Sequence, residues 1–427
     1  MVRFRLLPFL AVLLIPLAAG CSFMQKTVRI GYVNPITGAL AGNGEGYDWV
    51  IDQMYDYARQ HPITMHGRDV NLEIIVYDSE SDRTVCKKMA EQLVLYDKVD
   101  MLIATQTPET VIPIAEVAEQ YGVPCVSMQA PVDPVAQARE KYNWTFHAFW
   151  TLDTVYECYR ALWTLAGFPA QSGAKVGLLF ANDVDGTSWH DVFVRRLSED
   201  GYAIVDPGQY PLNNSSFDSI AKLFKEESVS VLTGTNLPPD FMNAMKALAH
   251  YSVPLDCITM GKCGLMYTDA SALGEAAVGL MTEVWWDENE NFISDLTGFT
   301  ASDVSARYAR DNFDLKMPQP TAYAYAAFEL ALHALRRADS TDRRKLRTAL
   351  SRLDVQTIVG PIVYNHVMNG LVYAQTPVGG GQWQLENGVL MLKVIDNSLC
   401  PAVKLTGAYK AENVSDRVKE PLSKSGV

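Results

Sequence analysis

From Thr27 onward the sequence alternates short β-rich runs with amphipathic stretches of helical spacing, the pattern of parallel strands joined by covering helices. Strand-like runs fall at Val28–Val33, Val70–Asp78, Met101–Ala104 and Val123–Ser127, with helical runs at Gly44–Arg59, Val85–Leu95 and Thr110–Tyr121 between them. Gly122 has the character of a helix C-cap, and Pro113 is expected in the first turn of that helix, which sets its start near Thr110. The aromatic passage Tyr142–Trp150 breaks the alternation and a second series follows: strands Lys175–Ala181, Ala203–Val205, Ser228–Thr233 and Cys257–Met260, with helices Ser188–Glu199, Phe217–Glu226 and Pro239–Tyr251. The expected fold is therefore α/β, with two doubly wound parallel-sheet lobes. Beyond Val278–Trp286 come the helical runs Ala301–Phe313, Thr321–Arg337 and Asp342–Leu353 with no strand between them. Strand-like runs at Ile358–Asn365 and Val372–Val378 and a hairpin over Gln382–Ile395, turning at Glu386-Asn387-Gly388, then complete the two lobes.

The N-terminus fixes where the chain works. Arg3 and Arg5 precede the apolar run Leu6–Leu17 and the small residues Ala18-Ala19-Gly20, so residues 1–20 read as a signal peptide. The run is shorter than the roughly 20 residues that span a bilayer. Leu17-Ala18-Ala19-Gly20-Cys21 resembles a bacterial lipobox, which implies acylation of Cys21 and a tether over 21–26. Arg3-Phe4-Arg5 is no twin arginine, so the chain should cross the membrane unfolded. Without the signal's two arginines the formal charge of −13 becomes −15, with no basic block to meet nucleic acid or an anionic membrane surface. Cys86, Cys125, Cys158, Cys257, Cys263 and Cys400 remain, an even number that leaves disulfides and buried thiols both open. With no C-x-x-C and no His pair at ligand spacing, neither metal nor other cofactor is expected.

In open α/β sheets, ligands bind beyond the carboxyl ends of the strands, close to helix N-termini. That rule selects Thr105, Gln106 and Thr107 after one strand and Ser127 and Gln129 after the next. In the second series it selects Asp183 and Asp185, Asn236 beside Thr235, and Lys262. Trp150 is placed to cover a ligand. Helix capping is the alternative role for the Ser, Thr, Asn and Asp residues. Catalytic motifs are missing: Tyr47 interrupts G-x-G-x-x-G, and Gly186-Thr187-Ser188-Trp189-His190 lacks the last glycine of a nucleophile elbow. Binding without chemistry is the expectation.

Several short motifs occur in a telling order: Val28-Arg29-Ile30-Gly31-Tyr32-Val33-Asn34-Pro35-Ile36-Thr37-Gly38, then Tyr77-Asp78, Gly122-Val123-Pro124, Asn182-Asp183 with Gly186, Gly360-Pro361-Ile362, and Gln382-Trp383 before Glu386-Asn387-Gly388. In this order the chain resembles the type 1 periplasmic solute-binding proteins, in particular the branched-chain amino acid group of ABC importers. The resemblance implies three crossings between lobes, near Phe149–Trp150, Val284–Trp286 and Asn369–Val372. Lobe one is then 27–148 plus 285–370, lobe two 149–284 plus 371–402, and 403–427 a C-terminal extension. It also implies a small polar or carboxylated solute in the cleft and an ABC permease as membrane partner; a sensor of the same fold docking on a membrane receptor is the alternative. Where that group commonly places an acid for the ligand's ammonium, this chain has Lys262, and Pro108 stands where a hydroxyl is usual. A carboxylate held by Lys262 and an ammonium held by Asp183 or Asp185 are both open.

Overall fold

The structure is a computed structural model describing residues 26–412; the expected signal peptide, Cys21 and the end of the C-terminal extension lie outside the described residues. The first series gives β1 (Thr27–Asn34), β2 (Ile63–Met65), β3 (Arg68–Asp78), β4 (Met101–Ala104), β5 (Cys125–Met128) and β6 (Thr145–Ala148). The second gives β7 (Lys175–Phe180), β8 (Ala203–Val205), β9 (Val231–Asn236), β10 (Cys257–Lys262) and β11 (Met281–Val284). After the helices Ala301–Asp311, Gln319–Ala338 and Arg343–Leu350, β12 (Asp354–Thr357) and β13 (Gly360–Val363) pair with each other. Then follow β14 (His366–Met368), β15 (Leu371–Ala374), β16 (Gly379–Glu386) and β17 (Val389–Asp396).

These strands make two large sheets, ordered β14-β15-β6-β5-β4-β1-β3-β2 and β17-β16-β11-β10-β9-β7-β8. Pairing inside each sheet is parallel except at the edges, where β2 and β14 in the first and β16 and β17 in the second run antiparallel. The central strands β4, β5 and β6 are buried along their whole length, as strands with helices on both faces must be. The hairpin turns at Asn387 and Gly388, both at positive φ (51° and 82°), the geometry of a type I′ turn.

The chain passes between sheets three times, and the passages lie side by side. Phe149 N donates to Ala374 O at 3.1 Å, and the Phe149 ring meets Trp285 edge-on at 5.0 Å. The third passage differs from expectation. Val372, Tyr373 and Ala374 pair in parallel with Phe146, His147 and Ala148, so β15 belongs to the first sheet and the crossing lies at 375–378, not at Asn369–Val372.

Local departures shift residues that matter for the cleft. The helix expected from Thr110 is Pro108–Tyr121: Pro108 takes the first position, Thr107 is the N-cap, and Pro113 lies inside the helix. The helix expected from Ser188 starts at Val184, capped by Asp183. β9 and β10 run on to Asn236 and Lys262, so those residues are strand ends and not loop residues. Gly234 explains part of this, because a Cβ there would lie 1.9 Å from Leu179 O on the neighbouring β7. The chain beyond β17 is strapped back onto the hairpin: Thr406 N and Gly407 N donate to Val394 O, and Gln384 Nε2 donates to Ala408 O.

Candidate functional site

The first wall of the cleft is built where β1, β4 and β5 end. Asn34 Nδ2 donates to Gly44 O at 3.0 Å, which leaves Asn34 Oδ1 to accept from Tyr32 Oη (2.8 Å) and Gln106 Nε2 (3.4 Å). Gln106 therefore turns its nitrogen inward, and its buried Oε1 has no partner. Gln129 is arranged alike, Nε2 donating to Pro320 O at 2.6 Å while Oε1 is unpaired. Both residues have positive φ, 84° and 65°, a conformation that costs energy for a side chain with a Cβ and is held by the surrounding network. Thr105 Oγ1 lies 2.8 Å from Tyr32 Oη, while the buried Thr107 Oγ1 is unpaired.

Ser127 belongs elsewhere. Its Oγ is 2.7 Å from His147 Nδ1, and His147 Nε2 is 2.8 Å from Ala130 O. A carbonyl only accepts, so Nε2 carries the proton and Nδ1 accepts the Ser127 hydroxyl. Burial pushes the His147 pKa down to about 4, keeping the ring neutral. This leaves Ser127 no donor for a solute.

The second wall carries charge. Lys262 Nζ lies 2.8 Å from Asp185 Oδ2 and 3.8 Å from Asp183 Oδ2, with all three side chains largely buried. Asp183 also caps its helix, Oδ1 accepting from Gly186 N at 2.6 Å. Burial raises the Asp185 pKa to about 6 against the pull of Lys262, and Glu109 and Asp183 push the same way. Lys262 loses to burial but gains more from Asp185, Asp183 and Glu109, and its pKa ends above the usual lysine value. Asn236 turns inward, Nδ2 donating to Leu179 O at 3.0 Å and to the Tyr210 hydroxyl.

The sequence reading missed Glu109 and Trp189. Glu109 reaches across from the first wall, both carboxylate oxygens buried and unpaired. Trp189 sits one turn after Asp185 on the same helix face, a spacing hidden by starting that helix at Ser188. Its ring meets that of Trp150, which lies at the first passage between the lobes, edge-on at 5.9 Å. Trp49, Trp163, Trp285, Trp286 and Trp383 each donate the indole N–H to a partner. Trp150 and Trp189 are buried with theirs unpaired. Gly261 makes room here, since a Cβ would come within 3.1 Å of the Trp189 ring and 3.2 Å of Thr235 Oγ1.

Beside this polar cluster a cavity of about 440 Å³ opens between the lobes, with Met317, Pro318 and Gln319 on one side and Met266, Tyr267 and Trp383 on the other. Gln319 joins the two regions: its Oε1 accepts from Trp285 N at 2.6 Å, and the Trp285 ring lies 6.2 Å from that of Trp150. Beneath them Tyr159 donates to Glu283 at 2.5 Å, and burial pushes the Glu283 pKa up to about 7.

Residues 27–381 match the periplasmic binding protein family. The chain belongs to that family. Members are solute-binding proteins, and membership implies export from the cytoplasm. Solved structures with the same fold include a leucine-binding protein, LivK, of Thermotoga maritima, at 17% identity and TM-score 0.70 over 87% of this chain and 99% of that one. LivJ of Streptococcus pneumoniae in complex with isoleucine is similar at 14% identity and TM-score 0.70, over 87% and 100% of the two chains. A solute-binding protein of an ABC transporter from Rhodopseudomonas palustris, in complex with 3,4-dihydroxybenzoic acid, aligns at 19% identity and TM-score 0.66 over 87% and 98%. This periplasmic binding protein thus has the type 1 fold that its sequence resembles, in two lobes of mostly parallel strands.

Proposed function

We propose that this periplasmic binding protein captures a small polar solute between its lobes and delivers it, unchanged, to an ABC importer. The observation that carries this reading is the set of buried, unpaired polar atoms that both lobes bring to one place: Gln106, Thr107, Glu109 and Gln129 from one lobe, Asp185, Trp189 and Thr235 from the other, and Trp150 at the first passage between them. Buried polar atoms without partners are few in folded proteins, and a concentration of them in a cleft marks groups kept for a ligand. The lobes are 27–148 with 285–374, and 149–284 with 375–402, and they close by hinge motion at the three passages. Of the two ways of holding a solute that the sequence left open, the pairing of Lys262 with Asp185 favours an ammonium on carboxylates over a carboxylate on Lys262.

Thermal-shift screening against a metabolite panel tests the reading, because a ligand at 100 times its dissociation constant stabilises by about 2.7 kcal/mol. Binding should change tryptophan fluorescence, since Trp150, Trp189 and Trp285 meet at the lobe boundary, and mass spectrometry after long incubation should recover the ligand intact. A new product of the same stoichiometry would instead mean catalysis.

The anchor is part of the same proposal. Cys21 is acylated and holds the protein at the outer face of a membrane, and among the described residues no helix is long and apolar enough to cross one. Changing Cys21→Ser should therefore move the protein from the membrane fraction to the soluble fraction with its melting temperature unchanged. One acyl chain gives only marginal attachment, so more than one is expected by mass. Equal partitioning of mutant and wild type would rule out the anchor.

A further inference from the structure

We infer that the cleft takes an amine cation that carries no carboxylate, an inference that rests on the solute-binding reading above. Three observations point the same way. The first is the arrangement of the helix N-termini that meet there. A helix N-terminus attracts anions, but here each is already supplied with one by the chain itself: Glu109 is the second residue of Pro108–Tyr121, and Asp185 is the second residue of Val184–Asp200. A ligand carboxylate would have to displace them or sit against them.

The second is the balance of charge. Glu109, Asp183 and Asp185 act on one ammonium, that of Lys262, which is 2.8 Å from Asp185 and 3.8 Å from Asp183. Asp183 and Asp185 lie on the same lobe as Lys262, whereas Glu109 comes from the other. Bringing the lobes together therefore adds a third carboxylate to a pair that already exceeds its cation. A second cation placed between Glu109 and Asp185 removes that cost, and it does so only when both lobes contribute. Closure is thereby tied to the charge of the ligand.

The third is the direction of the amides. Backbone carbonyls or Asn34 hold the Nε2 atoms of Gln106 and Gln129, so the oxygens of both are the unpaired ends. With both Glu109 oxygens and Asp185 Oδ1, five atoms that can only accept await donors in buried or half-buried side chains, while the unpaired groups able to donate are the indoles of Trp150 and Trp189 and the hydroxyls of Thr107 and Thr235, which can also accept. An ammonium with three N–H groups satisfies acceptors in this excess, and the indole N–H groups accommodate a hydroxyl on the same molecule. The two indole rings supply faces for the cation as well.

The test uses the purified mature protein and two sets of probes: 1,4-diaminobutane, 2-aminoethanol and benzylamine as carboxylate-free amines, and leucine, isoleucine and benzoate as carboxylates. At least one amine should bind in calorimetry and change tryptophan fluorescence. Glu109→Gln, an isosteric change at a carboxylate with no hydrogen bond to lose, should weaken that binding tenfold or more, and Asp185→Asn should do the same. Binding of a carboxylate that Glu109→Gln leaves unchanged overturns the inference while the solute-binding reading stands. Failure of every amine also overturns it, and failure of both sets counts against the solute-binding reading itself.

Discussion

Changing Lys262→Met should lower the melting temperature by about 5 °C or more and shift the protein toward an open form. Lys262 is the cation set between Asp185 and Asp183, with Glu109 acting on it from the other lobe. Removing one member of a buried ion pair costs about 3–5 kcal/mol, because the partner's charge stays desolvated. In a domain of this size each kcal/mol moves the melting temperature by roughly 2–4 °C. The lobes have one escape, which is to separate and let water reach the three carboxylates. Small-angle scattering should accordingly show a larger radius of gyration for the mutant, and Lys262→Met combined with Asp185→Asn should recover most of the compactness and stability. If the single mutant is as compact and as stable as wild type, Lys262 is a solvated lysine and the ion pair is not what holds this wall.

The second large effect is on the pH dependence of stability. Glu329 is fully buried on the helix Gln319–Ala338, where Oε2 accepts from Ile358 N at 3.2 Å and Oε1 is unpaired. Burial raises its pKa to about 8, and burial likewise raises that of Glu283 to about 7. Both lie above the unfolded value of roughly 4.3, so the folded protein holds these protons more tightly than the unfolded chain. The stability this confers is complete below about pH 4.3 and is lost progressively as pH rises toward 8. At roughly 1.36 kcal/mol per pKa unit, Glu329 alone accounts for a change on the order of 5 kcal/mol. Buried neutral His147 works the other way only below about pH 6.5, so melting temperatures measured from pH 6.5 to pH 8.5 should fall, and Glu329→Gln should flatten the slope while keeping the hydrogen bond from Ile358 N. Carboxylates with lowered pKa values, such as Asp78 and Asp153, lose stability only at more acid pH and leave this window clear. Parallel slopes in mutant and wild type would refute the assignment.

Much of the fold is visible in the sequence because its information is local. Buried parallel strands read as short apolar runs, and the helices between them keep their 3.6-residue period. What is not local was missed. The run Leu371–Ala374 is strand-like in isolation, but its place in the first sheet depends on pairing with Phe146–Ala148, more than two hundred residues earlier. Polar residues at the ends of buried strands look like loops, which is how Asn236 and Lys262 came to be placed beyond their strands. The site was legible as a list of polar positions and illegible as an arrangement. Asp185 and Trp189 form a pair one helical turn apart only when the helix begins at Val184, and Glu109 joins them only because the lobes meet. Ser127 shows the reverse error: its place after a strand is as expected, but His147 on the next strand takes its hydroxyl.

The six cysteines at Cys86, Cys125, Cys158, Cys257, Cys263 and Cys400 are all unpaired in the structure, and every one but Cys400 is buried. Burial pushes the Cys86 thiol up to about 12 and raises Cys125, Cys158, Cys257 and Cys263 as well. A thiol that stays protonated is a poor nucleophile, so the five buried cysteines of the finished protein resist oxidants even in a compartment that makes disulfides, with half-buried Cys400 the exception. The chain is not so protected while it emerges. On the expectation that the chain crosses the membrane unfolded, every thiol meets that compartment before a core exists to cover it. The packed interior therefore works as a protecting group, installed by folding itself, and the race between collapse and oxidation decides the yield of active protein.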